Sequence, residues 1–122
     1  MFMQWKSCIE ACEAAASAIE RCIEDCLHAD DPENLEECAD RARDALDSVR
    51  IASVWMSRDS EHAPTMARIC AQICEDCAAE CDNHVAFHPF CGSCAEACRR
   101  AAMECRRGAD ESYRERISAS AI

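Results

Sequence analysis

The stretch ICAQICEDCAAECD, residues 69–82, carries cysteines at positions 70, 74, 77 and 81, a spacing that alternates between four and three. That rhythm is the seam of an α-helix packed in a bundle. Read outward, the same rhythm puts Met66, Cys70, Ile73, Cys74, Cys77 and Cys81 on one stripe. It runs through Cys8, Cys12, Ala15, Ile19, Cys22 and Cys26 on an earlier helix, and through Cys91, Cys94, Cys98, Ala101 and Cys105 on a later one. Between residues 32 and 57 it selects Cys38, Ala42, Ala45, Val49, Ala52 and Met56. The intervening positions are charged, as at Glu10, Glu13, Glu20, Arg21, Glu24 and Asp25, which describes a solvated outer face.

Punctuation sets the boundaries. Proline is tolerated in the first turn of a helix, where its missing N–H costs nothing, and Pro32, Pro64 and Pro89 each mark such a start. Asp31 is the expected N-cap of the second helix, and Gly108 the expected stop of the fourth. The reading is all-α: an antiparallel up-down four-helix bundle with helices over 3–29, 32–57, 63–83 and 89–107. Residues 1–108 form the bundle, and residues 109–122 are expected to be a frayed, polar C-terminal tail.

Thirteen cysteines in 122 residues, about 11 %, is the level of a disulfide scaffold. The rest of the composition disagrees: two Gly, three Pro and roughly two dozen Ala belong to long helices rather than a loop-rich minidomain. Thirteen is odd, so a fully paired monomer is excluded. The charge of −11 repels nucleic acid and anionic lipid. No apolar run is long enough for a membrane span. The N-terminal segment lacks a basic region followed by an apolar one, and a cytoplasmic protein is expected, in a compartment where thiols stay reduced.

Reduced thiols on one stripe need a physical account. Free Cys packs as a small hydrophobe, but Leu occurs only at 27, 35 and 46, so this core forgoes the apolar bulk that bundles ordinarily use. The repeated Cys-x-x-x-Cys at 8/12, 22/26, 70/74, 77/81 and 94/98 puts Cβ atoms about 5–6 Å apart, too far for a disulfide's roughly 3.8 Å. An ion held at about 2.3 Å from each of two sulfurs spans roughly 4–5 Å when near linear. Linear thiolate coordination suits Cu(I), whereas zinc asks for a closed tetrahedral set. Replacing a thiol proton by a monovalent ion leaves the core neutral, while stacked Zn(Cys)4 sites would each add −2 without basic partners on the stripes. If sulfurs bridge neighbouring ions, all thirteen cysteines (Cys8, Cys12, Cys22, Cys26, Cys38, Cys70, Cys74, Cys77, Cys81, Cys91, Cys94, Cys98 and Cys105) are metal ligands. Capacity is then on the order of ten ions per chain.

A Cys-lined bundle with CEDCAAECD at 74–82 and CGSCAEAC at 91–98 resembles the bacterial copper storage proteins, over about residues 5–107. The resemblance implies Cu(I) storage, buffering and detoxification in a cytosolic tetramer, with ions entering at one open end. Copper chaperones or copper enzymes are the candidate donors and recipients. Two departures stand out: helix 2 contributes only Cys38, and Ala15 and Ile19 interrupt helix 1, so the metal column is expected to be eccentric or broken.

Antiparallel topology gathers His28, His84 and His88 at the end holding the helix 1–2 and 3–4 connections, and these are the candidate entrance ligands. Met3, Met56, Met66 and His62 collect at the opposite end as weaker candidates. Trp5 and Trp55 are expected to cap that end or to sit in an oligomer contact, and Phe87 and Phe90 to plug the helix 3–4 connection. No enzyme is indicated: there is no nucleophile–base pair, no Gly-rich phosphate loop and no Glu-x-x-His motif. Cys-Gly-Ser-Cys at 91–94 lacks the βαβ context of a redox motif. Two other readings stay open, a zinc- or cadmium-sequestering bundle of metallothionein type and a thiol-redox or structural helical protein without metal.

Overall fold

The computed structural model describes residues 3–120, with side chains from Gln4 onward. Four helices account for the chain: α1 (Met3–Leu27), α2 (Glu36–Ser57), α3 (Ala63–Asp82) and α4 (Pro89–Ser120), with one turn of 3-10 helix at Pro32–Leu35 leading into α2. Each helix packs against two others in the cyclic order α1, α2, α3, α4. The short connections at 28–31, 58–62 and 83–88 make consecutive helices antiparallel. This is the expected four-helix bundle, and no strand occurs among the described residues.

Small side chains on the seams let the helices come close. Ala15, Ala42, Ala45, Ala52, Ala67 and Ala101 are all inaccessible to solvent, as are eleven of the thirteen thiol residues, with Cys22, Cys26 and Ala95 nearly so. On the outside, α3 and α4 are laced by three ion pairs: Arg68–Asp110 at 3.0 Å, Arg106–Glu75 at 2.9 Å and Arg99–Asp82. Arg50–Glu20 at 2.9 Å joins α2 to α1.

The start of the second helix and the end of the fourth depart from expectation. The second helix opens with the 3-10 turn, and Asp31 makes no side-chain cap bond; its carboxylate faces Asn34 and His88 instead. Gly108 does not stop the fourth helix. It lies in mid-helix, where a Cβ would fall 2.8 Å from Cζ3 and 2.9 Å from Cε3 of Trp5. Glycine is there for close approach of the ring, which offsets its cost of about 1 kcal/mol in a helix interior. With no stop at 108, the tail is helix through Ser120 rather than frayed. Ala109 and Ser112 are buried, and Arg116 donates to the Glu61 carbonyl at 3.4 Å.

Trp5 closes one end of the bundle. Its ring is wholly buried and its Nε1–H donates to Asp59 Oδ1 at 3.1 Å. Asp59 takes the left-handed conformation, φ 50°, which aspartate tolerates in a turn and which brings its carboxylate back over the end of α1.

Candidate metal centre

All thirteen cysteines are free and buried. Their sulfurs fall into groups, each set within 4.8 Å of one another: Cys22, Cys38, Cys81 and Cys91; Cys77, Cys81 and Cys94; and Cys8, Cys12 and Cys105. The first two sets share Cys81 and lie toward the two connections. The third lies under Trp5, where Cys8 and Cys105 are 2.7 Å apart and Cys12 and Cys105 3.5 Å. An ion at about 2.3 Å from its sulfurs sets them about 4.0 Å apart in a trigonal site and about 3.8 Å apart in a tetrahedral one. The contacts Cys38–Cys81 at 3.6 Å and Cys70–Cys74 at 3.9 Å already match those spacings.

The i,i+4 repeat explains this grouping only in part. Cys8/Cys12 and Cys77/Cys81 share a set, but each set is completed from another helix, and Cys26, Cys70, Cys74 and Cys98 lie outside the sets. The expected interruption is present: Ala15 and Ile19 are buried between the two ends of α1, and Ala42, Ala45 and Val49 fill the matching length of α2. From Cys12 to Cys22 the helical rise is about 15 Å without a thiol on α1. On the other side Cys70, Cys74 and Cys98 carry thiols across that interval, so the column runs eccentrically along α3 and α4.

The sulfurs hold one another's protons. Hydrogen bonds from the Cys105 and Cys12 thiols push Cys8 below the ordinary thiol range against the opposing effect of burial. The Cys12, Cys70 and Cys8 contacts, with burial, push Cys105 up. Likewise Cys81 favours ionisation of Cys77, and contacts with Cys22, Cys38 and Cys77 raise Cys81. A cation bound between such neighbouring sulfurs takes the place of their protons. Among the described residues the buried polar or charged side chains are Ser48, Glu104 and Ser112, so no buried base offsets a stack of thiolates. Sequence reasoning passed over Ser48. Its hydroxyl donates to the Ala45 carbonyl at 2.8 Å and lies 3.6 Å from Cys70 Sγ, so α2 presents a hydroxyl where the other helices present thiols.

At the connection end the histidines separate. His28 and His88 share an open groove of about 480 Å³ with Asp25, Asp31, Phe87 and Phe90. His28 is exposed, with Nδ1 2.8 Å from the Glu24 carbonyl. His88 Nε2 is 3.3 Å from Asp31 Oδ1, and its ring leans on Phe90 at 5.4 Å between centroids. His84 does not line that groove; its Nε2 is 2.8 Å from Glu80 Oε2. Phe90 is half-buried, but Phe87 is 85 % exposed and plugs nothing. Cys26, though buried, lines a neighbouring depression of about 430 Å³ with Glu33, Glu36, Asp40 and Arg43.

At the other end Met56 is buried and Met66 half-buried against the core. His62 is exposed, 6.3 Å from the Trp55 ring and 3.4 Å from Glu61 Oε1. The Met3 side chain lies outside the described residues. Trp5, rather than an oligomer contact, caps this end.

The family described as copper storage protein matches residues 2–110. The uncharacterized cysteine-rich protein YhjQ of Bacillus subtilis is 35% identical over 101 residues, covering 83% of this chain and 92% of the relative. Copper storage protein 3 of Bacillus subtilis has been solved as the apo form and with Cu(I). The Cu(I) structure superposes with a TM-score of 0.82 at 34% identity, over 87% of this chain and 98% of that one. A cytosolic copper storage protein from Streptomyces lividans, in a structure with five coppers, gives a TM-score of 0.85 at 28% identity, over 88% of this chain and 93% of that one.

Proposed function

The chain belongs to the copper storage protein family, and from that premise we propose that it stores and buffers Cu(I) as many ions per chain, held by its thirteen cysteine thiolates. The observation that carries this reading is the thiol lining itself: thirteen buried, unpaired thiols, nine of them in groups spaced for shared ions, with no buried base among the described residues to neutralise them. A monovalent ion that replaces a thiol proton meets that condition. Capacity is on the order of ten ions, with bridging sulfurs.

Ions enter at the connection end, opposite the Trp5 cap. Cys26 is the first thiol met, and the His28 and His88 groove beside it, with His84 nearby, offers imidazoles for the handover. The chain works as a homotetramer in the cytoplasm and exchanges copper with chaperones or copper enzymes. In support, the Streptomyces relative is described as cytosolic, and among the described residues no helix is long and apolar enough to cross a membrane. Residues 1–108 are the storage unit, and no catalytic role is assigned to any residue.

Titration of the reduced apo-protein with Cu(I) against a competing chelator tests the reading. Saturation near ten ions per chain is expected; saturation below about three would overturn it.

A further inference from the structure

The lone cysteine of α2 completes a set of four sulfurs. Cys22, Cys38, Cys81 and Cys91 come one from each helix, and all four sulfurs lie within 4.8 Å of one another, whereas the other two sets contain three. We propose that these four thiolates form a tetrahedral site for a single soft divalent cation of the zinc class, one per chain. The site draws on four of the thiols assigned to copper storage, but its geometry does not rest on that reading.

The geometry is close to that of a structural tetrathiolate. A tetrahedron with metal–sulfur bonds of about 2.3 Å has edges of about 3.8 Å, so side-chain rotation alone closes the set. Cys38 and Cys81 are already at 3.6 Å. All four residues are buried, as in a closed structural site. A divalent ion leaves this set at −2, a cost one site can bear where a column cannot. Cys38 and Cys91 lie in the first turns of α2 and α4, Cys81 in the last turn of α3, and Cys22 in the body of α1. Without Cys38, α2's contribution, the group is another three-thiol set suited to Cu(I). Metal there ties all four helices together beside the proposed copper entrance, and Cu(I), the softer ion, displaces it as loading proceeds.

Anaerobic titration of the reduced full chain with Co(II), a spectroscopic stand-in for zinc, tests the site. One Co(II) per chain is expected, with the visible ligand-field bands and near-ultraviolet charge transfer of a tetrahedral S4 ion, and one equivalent of Zn(II) should bleach them. Cys38→Ser should change that spectrum and weaken binding by about a hundredfold, one ligand's share of a structural zinc site. Cys22→Ser should do the same, and Cys105→Ser, in the set under Trp5, should leave both unchanged. Absence of an S4 spectrum in the parent protein overturns the proposal, as does a spectrum that survives Cys38→Ser and Cys22→Ser or is lost with Cys105→Ser. Cu(I) capacity, read separately on the same proteins, keeps failure of the storage reading distinct.

Discussion

Replacing Gly108 by alanine would set a methyl carbon 2.8 Å from the Trp5 ring, with the Gln4 carbonyl at 3.2 Å leaving little room to yield. The expected loss is about 1–3 kcal/mol, the range for overpacking, read as a lower midpoint in denaturant with unchanged slope. Trp5→Ala should cost more, about 3–5 kcal/mol, because it empties the cap and removes the bond to Asp59. Unchanged stability in both variants would remove the cap from the account. The cysteine positions were legible in the sequence because a seam rhythm fixes phase without tertiary information. Gly108 was misread for the complementary reason: a glycine near the end of a helical pattern is a stop signal by local rules, and only the ring of Trp5, far away in the chain, makes it a contact. Ser48 carried no signal at all, since a serine on an Ala-rich helix looks like solvent-facing filler.

Among the elements, α3 and α4 share the most ion pairs, three, beside their facing thiols. Arg106 grips Glu75 with two hydrogen bonds, at 3.0 and 2.9 Å, and holds that carboxyl below its ordinary value. Its folded value lies below the unfolded one, so the stabilisation is present above the ordinary carboxylate range and is lost as pH falls through the lower, folded value. Both partners are largely exposed, so Glu75→Gln should cost at most about 1 kcal/mol at neutral pH and nothing in acid. An equal effect at both pH values would show that the pair does not act by charge. The pairing itself was legible in outline, since prolines and short connections dictate antiparallel neighbours. The 3-10 opening of α2 was not, because Asp31 satisfies every local criterion for a cap yet turns to His88 on another connection. Nor was the division of the entrance histidines: His84 and His88 are four residues apart in sequence, but the turn between them sends only His88 to the groove shared with His28.

At the scale of the molecule, the bundle combines an ordinary exterior with a core whose side chains are mostly alanine and thiol. The helices are specified by Ala-rich propensity, short connections and charged outer faces rather than by the sulfurs. Replacing all thirteen cysteines by alanine should therefore keep the far-UV helical signal while abolishing Cu(I) binding; loss of helicity would make the thiols structural instead. The one-sided thiol column, continuous along α3 and α4 and broken on α1 and α2, was foreseen from Ala15, Ile19 and the single Cys38. The meeting of Cys38 with three other helices required the fold. Anomalous scattering at the copper edge from crystals of the copper-loaded protein tests the central claim most directly. Copper peaks are predicted inside the bundle, among Cys8, Cys12 and Cys105 at one end and Cys22, Cys77, Cys81, Cys91 and Cys94 at the other, joined past Cys70, Cys74 and Cys98. Peaks confined to surface histidines and carboxylates, with none between the helices, would contradict it.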